Sequence, residues 1–127
     1  MEEKFSIVNE TKGKLPSLPF VEIKNKILGK KYELDLIFVN EKKIKALNKT
    51  YRKIDSPTDI LSFPINHNSG EIFICEKIAI KKAVDFEREY NNFITFLFIH
   101  GCVHLLGYDH GNKMDEVENK FRKFFKI

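Results

Sequence analysis

Three of the four histidines in this chain lie in one short segment, between His100 and His110. If that segment begins as a helix, His100 and His104 share one face, because side chains at positions i and i+4 are neighbours. Gly107 can end the helix in a left-handed conformation, so that the chain turns back and brings His110 to the same point. Three neutral imidazoles with a fourth position left open are typical of a catalytic zinc site. The spacing therefore predicts that His100, His104 and His110 bind one zinc ion or another divalent transition metal.

The residue after the first histidine distinguishes between kinds of metal-dependent hydrolase. Metzincin peptidases share this histidine spacing, but they carry a glutamate in that position as the general base. This chain has Gly101 there, which favours a hydrolase that does not cleave peptides. A purely structural zinc is the other alternative. Such sites usually have four ligands and are rich in cysteine, whereas Cys102 lies on roughly the opposite helix face and Cys75 is distant in sequence. His67 is predicted to be an exposed loop residue rather than a fourth ligand.

Length and composition are those of one globular domain that spans residues 1–127. The chain is 43% hydrophobic and 31% charged, and it is long enough to bury a core. Two cysteines at unrelated positions predict no disulfide and a reducing, cytoplasmic compartment. The sequence shows no signal peptide and no apolar run long enough for a membrane span, so we expect no membrane partner.

The net charge of +4 comes from an excess of lysine and arginine in the N-terminal half, whereas the histidine motif lies in the C-terminal half. This excess suggests a polyanionic partner. Much of it falls on a predicted amphipathic helix that Asn40 can cap. The apolar stripe of this helix consists of Ile44, Leu47 and Tyr51. The basic stripe on the nearly opposite face consists of Lys42, Lys45, Lys49 and Arg52. For the lysines, a face that simply contacts solvent is the alternative interpretation.

Hydrophobic periodicity predicts nine elements. Strands are expected at 5–8, 32–39, 60–63 and 71–74, and helices at 20–28, 40–52, 76–90, 93–106 and 114–126. This order indicates an α+β fold with a small, four-stranded mixed sheet packed against about five helices. The segment 93–106 is apolar almost all round, so it is expected to be a central buried helix that carries the first two metal ligands. The predicted apolar side of the third helix includes Phe86, and the predicted core stripe of the fifth helix includes Phe124.

Two longer motifs go beyond a generic metal site. One is the stretch from Leu47 to Pro64, which contains Tyr51-Arg52 and Pro57-Thr58-Asp59, and the other runs from His100 to His110. Together with Gly70-Glu71-Ile72 between them, they resemble the YbeY family of metal-dependent bacterial endoribonucleases. The clear motifs cover about residues 47–110, and the remainder is similar in length and element order. Cys102 and Val103 depart from the small or aliphatic pair expected in that family, which should affect packing alone.

The resemblance implies a single-domain α+β fold with zinc on the three histidines. It implies a single-strand-specific endoribonuclease that acts in late maturation of the 3′ end of small-subunit (16S) rRNA and in ribosome quality control. The expected partners are RNA, especially the small-subunit rRNA precursor, and the ribosome or its assembly proteins. Arg52 matches the functionally important arginine of the family and is the expected catalytic residue, since its planar fork suits a phosphate. Lys45 and Lys49, with Arg52, would bind the RNA backbone.

Three questions stay open at the level of sequence. A non-catalytic ribosome-assembly factor with a structural zinc would carry the same motifs. No residue stands out as general base, so a metal-bound hydroxide, the 2′-hydroxyl of the substrate or another group could serve. Asp109 could orient a ligand histidine or cap the turn in which it lies.

Overall fold

The computed structural model describes residues 4–127, in which it contains four strands and five helices. In chain order the elements are β1 Phe5–Asn9, α1 Phe20–Ile27, β2 Glu33–Phe38, α2 Glu41–Arg52, β3 Ile60–Asn66, β4 Ser69–Ile74, α3 Glu76–Asp85, α4 Tyr90–Leu105 and α5 Asn112–Phe125. All nine predicted elements occur in the predicted order, and the α+β class is confirmed. No helix within the described residues is both long and apolar enough to cross a membrane.

The sheet has the strand order β1-β2-β4-β3, so β1 and β3 are its edges. β1 and β4 both run parallel to β2, whereas β3 pairs antiparallel with β4, which makes the sheet mixed as predicted. β3 continues past the predicted end at residue 63, through Pro64 to Asn66. A proline is tolerated there because β3 is an edge strand with an irregular register between Pro64 and Asn66, and a missing N–H breaks no central ladder.

Helix α4 is the centre of the fold. It packs against one face of the sheet, and α1, α3 and α5 pack around it. Buried residues occur on every side of the helix, as the continuous hydrophobicity of its sequence predicts. The ring of Phe98, for example, contacts Phe20 of α1 at a centroid distance of 5.0 Å and Phe5 of β1 at 6.0 Å. The two histidines of α4 are thus carried by the most firmly packed helix.

Helix α2 covers the opposite face of the sheet. The Asn40 side chain caps it, accepting a hydrogen bond of 2.8 Å from the backbone N–H of Lys43. The core under α2 is small and consists of Ile37, Val39, Ile44, Leu61, Phe73 and Cys75. Because the last turn of α2 extends beyond this core, Tyr51 is 67% exposed. The apolar stripe predicted for α2 is therefore buried at Ile44 but exposed at Tyr51.

The segment between α3 and α4 differs from the sequence prediction. α3 ends at Asp85 rather than near Tyr90, because Glu87 takes a left-handed conformation with φ of 54° that a helix cannot continue. Tyr90 instead begins α4, and its hydroxyl donates a hydrogen bond to Glu76 at the start of α3. Phe86, predicted on the apolar side of the third helix, is largely exposed and covers the edge of the core by stacking on Phe93.

Two further predictions concern single residues. Phe124, expected in the core stripe of α5, is largely exposed, because the helix turns that side of its last turn to solvent. Cys75 and Cys102 are both buried and both free.

Candidate active site

The three clustered histidines come together at the C-terminal end of α4. His100 and His104 lie one turn apart on that helix, which ends at Leu105. Gly107, with φ of 104°, turns the chain back, and its N–H donates to the carbonyl of His104. The returning segment places the ring of His110 5.6 Å from that of His100 and 6.1 Å from that of His104, measured between centroids. The reversal predicted at Gly107 is confirmed.

These rings line a pocket of about 290 Å³ between α4, the end of α2 and the start of β3. The pocket is bordered by Arg52, Thr58, Asp59, Ile60, Leu61, Ser62, His100, His104 and His110. Elements that are far apart in the sequence therefore meet here. The two motifs singled out in the sequence, 47–64 and 100–110, form opposite walls of one site.

A glutamate of α5 orients His100. The Oε1 atom of Glu118 lies 2.5 Å from Nδ1 of His100, and Glu118 is buried. Since an ionised carboxylate can only accept a hydrogen bond, this contact requires the proton on Nδ1 and leaves Nε2 as the nitrogen available to a ligand. A carboxylate that fixes the tautomer of a histidine in this way is typical of metal-binding histidines.

His104 has the protonation behaviour that a ligand needs. Burial lowers its pKa below the ordinary value, and the nearby His110 and His100 lower it further. Its ring is therefore neutral at neutral pH and has a lone pair available. The Nδ1 atom of His104 is buried and has no hydrogen-bond partner among the described residues.

The three rings are close to the spacing of ligands around one ion, but more open. Imidazoles that bind a tetrahedral ion through nitrogens at about 2 Å hold their ring centres roughly 5 Å apart, compared with 5.6 and 6.1 Å here. Within residues 4–127, no group of three or more His, Cys, Asp or Glu side chains forms a metal-binding arrangement as it stands. The donor set, the neutral His104 and the Glu118 contact fit a metal. The assignment of metal ligands to α4 nevertheless stays a prediction.

The predicted substrate-binding residues do not all reach the pocket. Arg52, the last residue of α2, borders it directly. Lys45 and Lys49 are exposed on the same helix and lie outside the pocket lining, and Lys45 Nζ is 4.0 Å from Asp55 Oδ1. His67 lies in the turn between β3 and β4, exposed and outside this pocket, which confirms that it is an exposed loop residue.

A second concentration of positive charge lies beside His100. The ring of Phe96, one turn earlier on α4, is 6.4 Å from that of His100. The guanidinium carbons of Arg88 and Arg122 lie 4.9 and 5.0 Å from the centre of the Phe96 ring. Burial lowers the pKa of Arg88, and the charge of Arg122 lowers it further. Positive charge on two sides of the histidines favours an anionic ligand.

Sequence reasoning missed two acidic residues of the site. Glu118 was not predicted to be a site residue, yet it lies one turn after Met114 on the buried face of α5. An acidic residue at a core position of an amphipathic helix is the signal that could have identified it. Asp59 borders the pocket and is buried, with its carboxylate 3.3 Å from Lys82 Nζ and accepting a hydrogen bond from Thr58. In the sequence it was noted only as part of the motif Pro57-Thr58-Asp59.

Gly101 lies where α4 approaches the sheet most closely. A β-carbon added there would lie 2.9 Å from Ser62 Oγ, 3.0 Å from Ile72 Cδ1 and 3.1 Å from Ile60 Cδ1. These distances are shorter than ordinary van der Waals contacts, so no side chain fits without a shift of its neighbours. The glutamate of metallopeptidases would collide with the sheet here. This packing supports the inference, first made from sequence, that the site is not a peptidase site.

The fold and the site define a class of single-sheet α+β proteins. In this class one central helix and the loop after it present three histidines opposite an arginine. A family model described as Endoribonuclease YbeY matches residues 7–124 of the chain. The chain therefore belongs to the YbeY family.

Individual relatives agree with this assignment. The chain is 38% identical over 121 residues to a protein named Endoribonuclease YbeY from Aliarcobacter butzleri, covering 91% of this chain and 84% of that protein. It is 34% identical over 123 residues to the protein of the same name from Finegoldia magna, covering 91% and 80%. A solution structure from Thermotoga maritima superposes with a TM-score of 0.64 at 31% identity, covering 92% of this chain and 85% of that one.

Proposed function

We propose that this protein is a metal-dependent, single-strand-specific endoribonuclease that acts in late maturation of the 3′ end of small-subunit (16S) rRNA and in ribosome quality control. The observation that carries the proposal is that the three histidines and Arg52 line one and the same pocket. The relatives named Endoribonuclease YbeY supply the reaction class. The proposed partners are the small-subunit rRNA precursor and the ribosome or its assembly proteins, and the proposed compartment is the cytoplasm.

His100, His104 and His110 would hold one zinc ion or another divalent transition metal. When bound, such an ion lowers the pKa of a water molecule toward neutrality and polarises a phosphoryl oxygen. Glu118 keeps the proton of His100 on Nδ1, so that Nε2 is the nitrogen left to face the pocket. The lowered pKa of His104 keeps that ring unprotonated at the pH of the cell.

Arg52 is proposed to bind the scissile phosphate. Arg52 lines the pocket, and the fixed fork of donors on its guanidinium suits contact with two phosphate oxygens at once. The charge on those oxygens rises as the phosphorus becomes five-coordinate, so this contact strengthens in the transition state. Lys45 and Lys49 are exposed on the same helix and would bind neighbouring backbone phosphates.

The decisive experiment is cleavage of a 3′-extended fragment of small-subunit rRNA by the wild type and by Arg52→Ala, Arg52→Lys and Lys81→Ala variants. We expect Arg52→Ala to lose about a hundredfold or more in cleavage rate while it stays folded. Arg52→Lys should recover only part of the rate, because an ammonium lacks the fork. Lys81 is exposed on α3 outside the site, so its variant should cleave normally.

Two other results would contradict the proposal. Protein that binds the fragment but never cleaves it, with or without added zinc, would indicate an assembly factor whose zinc is structural. Cleavage that persists in folded Arg52→Ala protein would indicate a contaminating nuclease.

A further inference from the structure

Three aromatic rings lead from the core of this protein to its surface beside the proposed active site. Phe73 is buried in the sheet, and its ring centroid lies 5.8 Å from that of Phe63 on the edge strand β3. The ring of Phe63 lies in turn 5.2 Å from that of Tyr51. Tyr51 is thus held by a packed neighbour on one side while 67% of its surface is exposed.

Tyr51 differs in exposure from the earlier part of its own helix stripe. Ile44, which precedes Tyr51 on the same helix stripe, is fully buried. The hydroxyl of Tyr51 makes no hydrogen bond to any described residue, so the side chain is not retained by a polar contact. A large apolar ring fixed in place and presented to water is a feature that binding surfaces share.

The surroundings of Tyr51 specify the kind of ligand. Arg52, the next residue, borders the histidine pocket, and the exposed Lys45 and Lys49 extend the positive charge around the helix, away from the Tyr51 ring. Proteins that bind single-stranded nucleic acid combine a positively charged track for the backbone with aromatic rings on which unpaired bases stack. At the C-terminal end of α2, the adjacent Tyr51 and Arg52 supply one component each.

We propose that Tyr51 is a stacking platform for an unpaired nucleobase of the RNA strand whose phosphate binds at Arg52. This inference rests on the proposed function and deepens it, since it names the residue that would select single-stranded substrate. A base inside a duplex is stacked on its neighbours and cannot lie flat on an isolated ring. Paired RNA would therefore lose this contact, whereas a single strand would make it.

The absence of tryptophan from the sequence offers a direct test. Tyr51→Trp places the only tryptophan of the protein at the platform, where a stacked base quenches its fluorescence. Phe124→Trp is the matched control, because Phe124 is also a largely exposed aromatic residue but lies on α5, outside the pocket. Metal-free protein is titrated with a short single-stranded RNA, with the same RNA in a duplex, and with single-stranded RNA lacking bases at successive positions.

We expect the single strand to quench the tryptophan at position 51 and to leave that at position 124 unchanged. One abasic position should abolish the quenching, and the duplex should quench little. In a separate binding assay, Tyr51→Ala should weaken single-strand affinity about fivefold to a hundredfold, while Tyr51→Phe should bind like the wild type. The retained affinity of Tyr51→Phe separates stacking from a role of the hydroxyl.

Two outcomes would overturn the proposal in distinguishable ways. If Tyr51→Ala binds and cleaves RNA like the wild type, or if bound RNA leaves the tryptophan at position 51 unquenched, the platform is wrong and the proposed nuclease stands. If the wild type binds no RNA under low salt, both proposals fail together.

Discussion

At the scale of single residues, the contact between Glu118 and His100 carries the most information about the site. Glu118 is buried on α5, and within the described residues its only close polar contact is Nδ1 of His100, at 2.5 Å. Burial of a carboxylate is costly unless it is hydrogen-bonded. Its presence here is explained if His100 must be held in one tautomer with Nε2 directed to the pocket.

Glu118→Gln should weaken zinc binding by about tenfold to a hundredfold without unfolding the protein. The amide can still accept the proton of Nδ1, but it lacks the charge that raises the basicity of the ring. Glu116→Gln, an exposed neighbour on the same helix, should bind zinc like the wild type. Competition with a chelator measures both affinities. Equal zinc affinities for the two variants would contradict a role of Glu118 in the metal site.

The residues of the site differ in how far the sequence reveals them. His100, His104 and His110 were predicted from spacing alone, because helical periodicity and a glycine reversal fix where they meet. The core position of Glu118 on an amphipathic helix could have marked it as unusual, but its contact with His100 depends on how α5 packs against α4. Asp59 was missed for the same reason.

At the scale of secondary structure elements, the approach of α4 to the sheet positions the site. Gly101 lets the helix lie close enough that a β-carbon would come within 3.1 Å of Ser62, Ile72 and Ile60. Ser62 also lines the pocket, so the spacing between α4 and β3 sets the width of the site. A glycine inside a helix lowers helix stability by up to about 1 kcal/mol relative to alanine. The close packing explains why a glycine is nevertheless present here.

Gly101→Glu should destabilise the protein by about 3 kcal/mol or more, because it forces a charged side chain into a packed interface. Gly13→Glu makes the same change where nothing lies within 4 Å, and it should alter the free energy of unfolding by less than about 0.5 kcal/mol. Denaturant unfolding measures both variants. Wild-type stability of Gly101→Glu would show that α4 is not packed as described.

The element predictions succeeded where hydrophobic periodicity was strong and failed where a boundary depends on tertiary contacts. The continuous apolar run of α4 was sufficient to predict a buried central helix. The end of α3 depends on the left-handed conformation of Glu87, and a glutamate in the sequence does not predict such a turn. The exposure of Tyr51 depends on how far α2 extends past a small core. Helical periodicity alone does not show this, because it indicates only which face of the helix is apolar.

At the scale of the whole molecule, the two cysteines report on the integrity of the core. Cys75 and Cys102 lie on opposite faces of the sheet, one in each hydrophobic cluster, and neither is accessible to solvent. Burial raises the pKa of both thiols above the ordinary value. Since the thiolate is the reactive form, both groups should be inert in the folded protein.

At pH 8, the native protein should react with a thiol reagent far more slowly than the unfolded chain, in which both thiols are accessible to the reagent. A raised pKa leaves less thiolate at a given pH, and burial prevents access of the reagent. At pH 9 the native protein should still react far more slowly than the unfolded chain, because both thiols stay buried and their raised pKa keeps them mostly protonated. Rapid labelling of Cys102 in native protein would contradict the packing of α4.

Metal binding should also be visible in global stability. Zinc that binds only the folded state at about a hundred times its dissociation constant adds roughly 2.7 kcal/mol. We expect added zinc to raise the melting temperature of wild-type protein, and His110→Ala to abolish most of that shift. The metal-free protein should stay folded, because its core is independent of the site. A metal-free chain that is unfolded would favour a structural zinc instead.

The central claim is that the three histidines hold the metal on which RNA cleavage depends. It is tested most directly by cleavage of a 3′-extended small-subunit rRNA fragment with metal-depleted protein, before and after one equivalent of zinc or another divalent transition metal. The proposed function predicts no cleavage before addition, restored cleavage at one bound ion per chain, and none at any metal level with folded His104→Ala. Equal cleavage by metal-depleted wild type or by His104→Ala would contradict it.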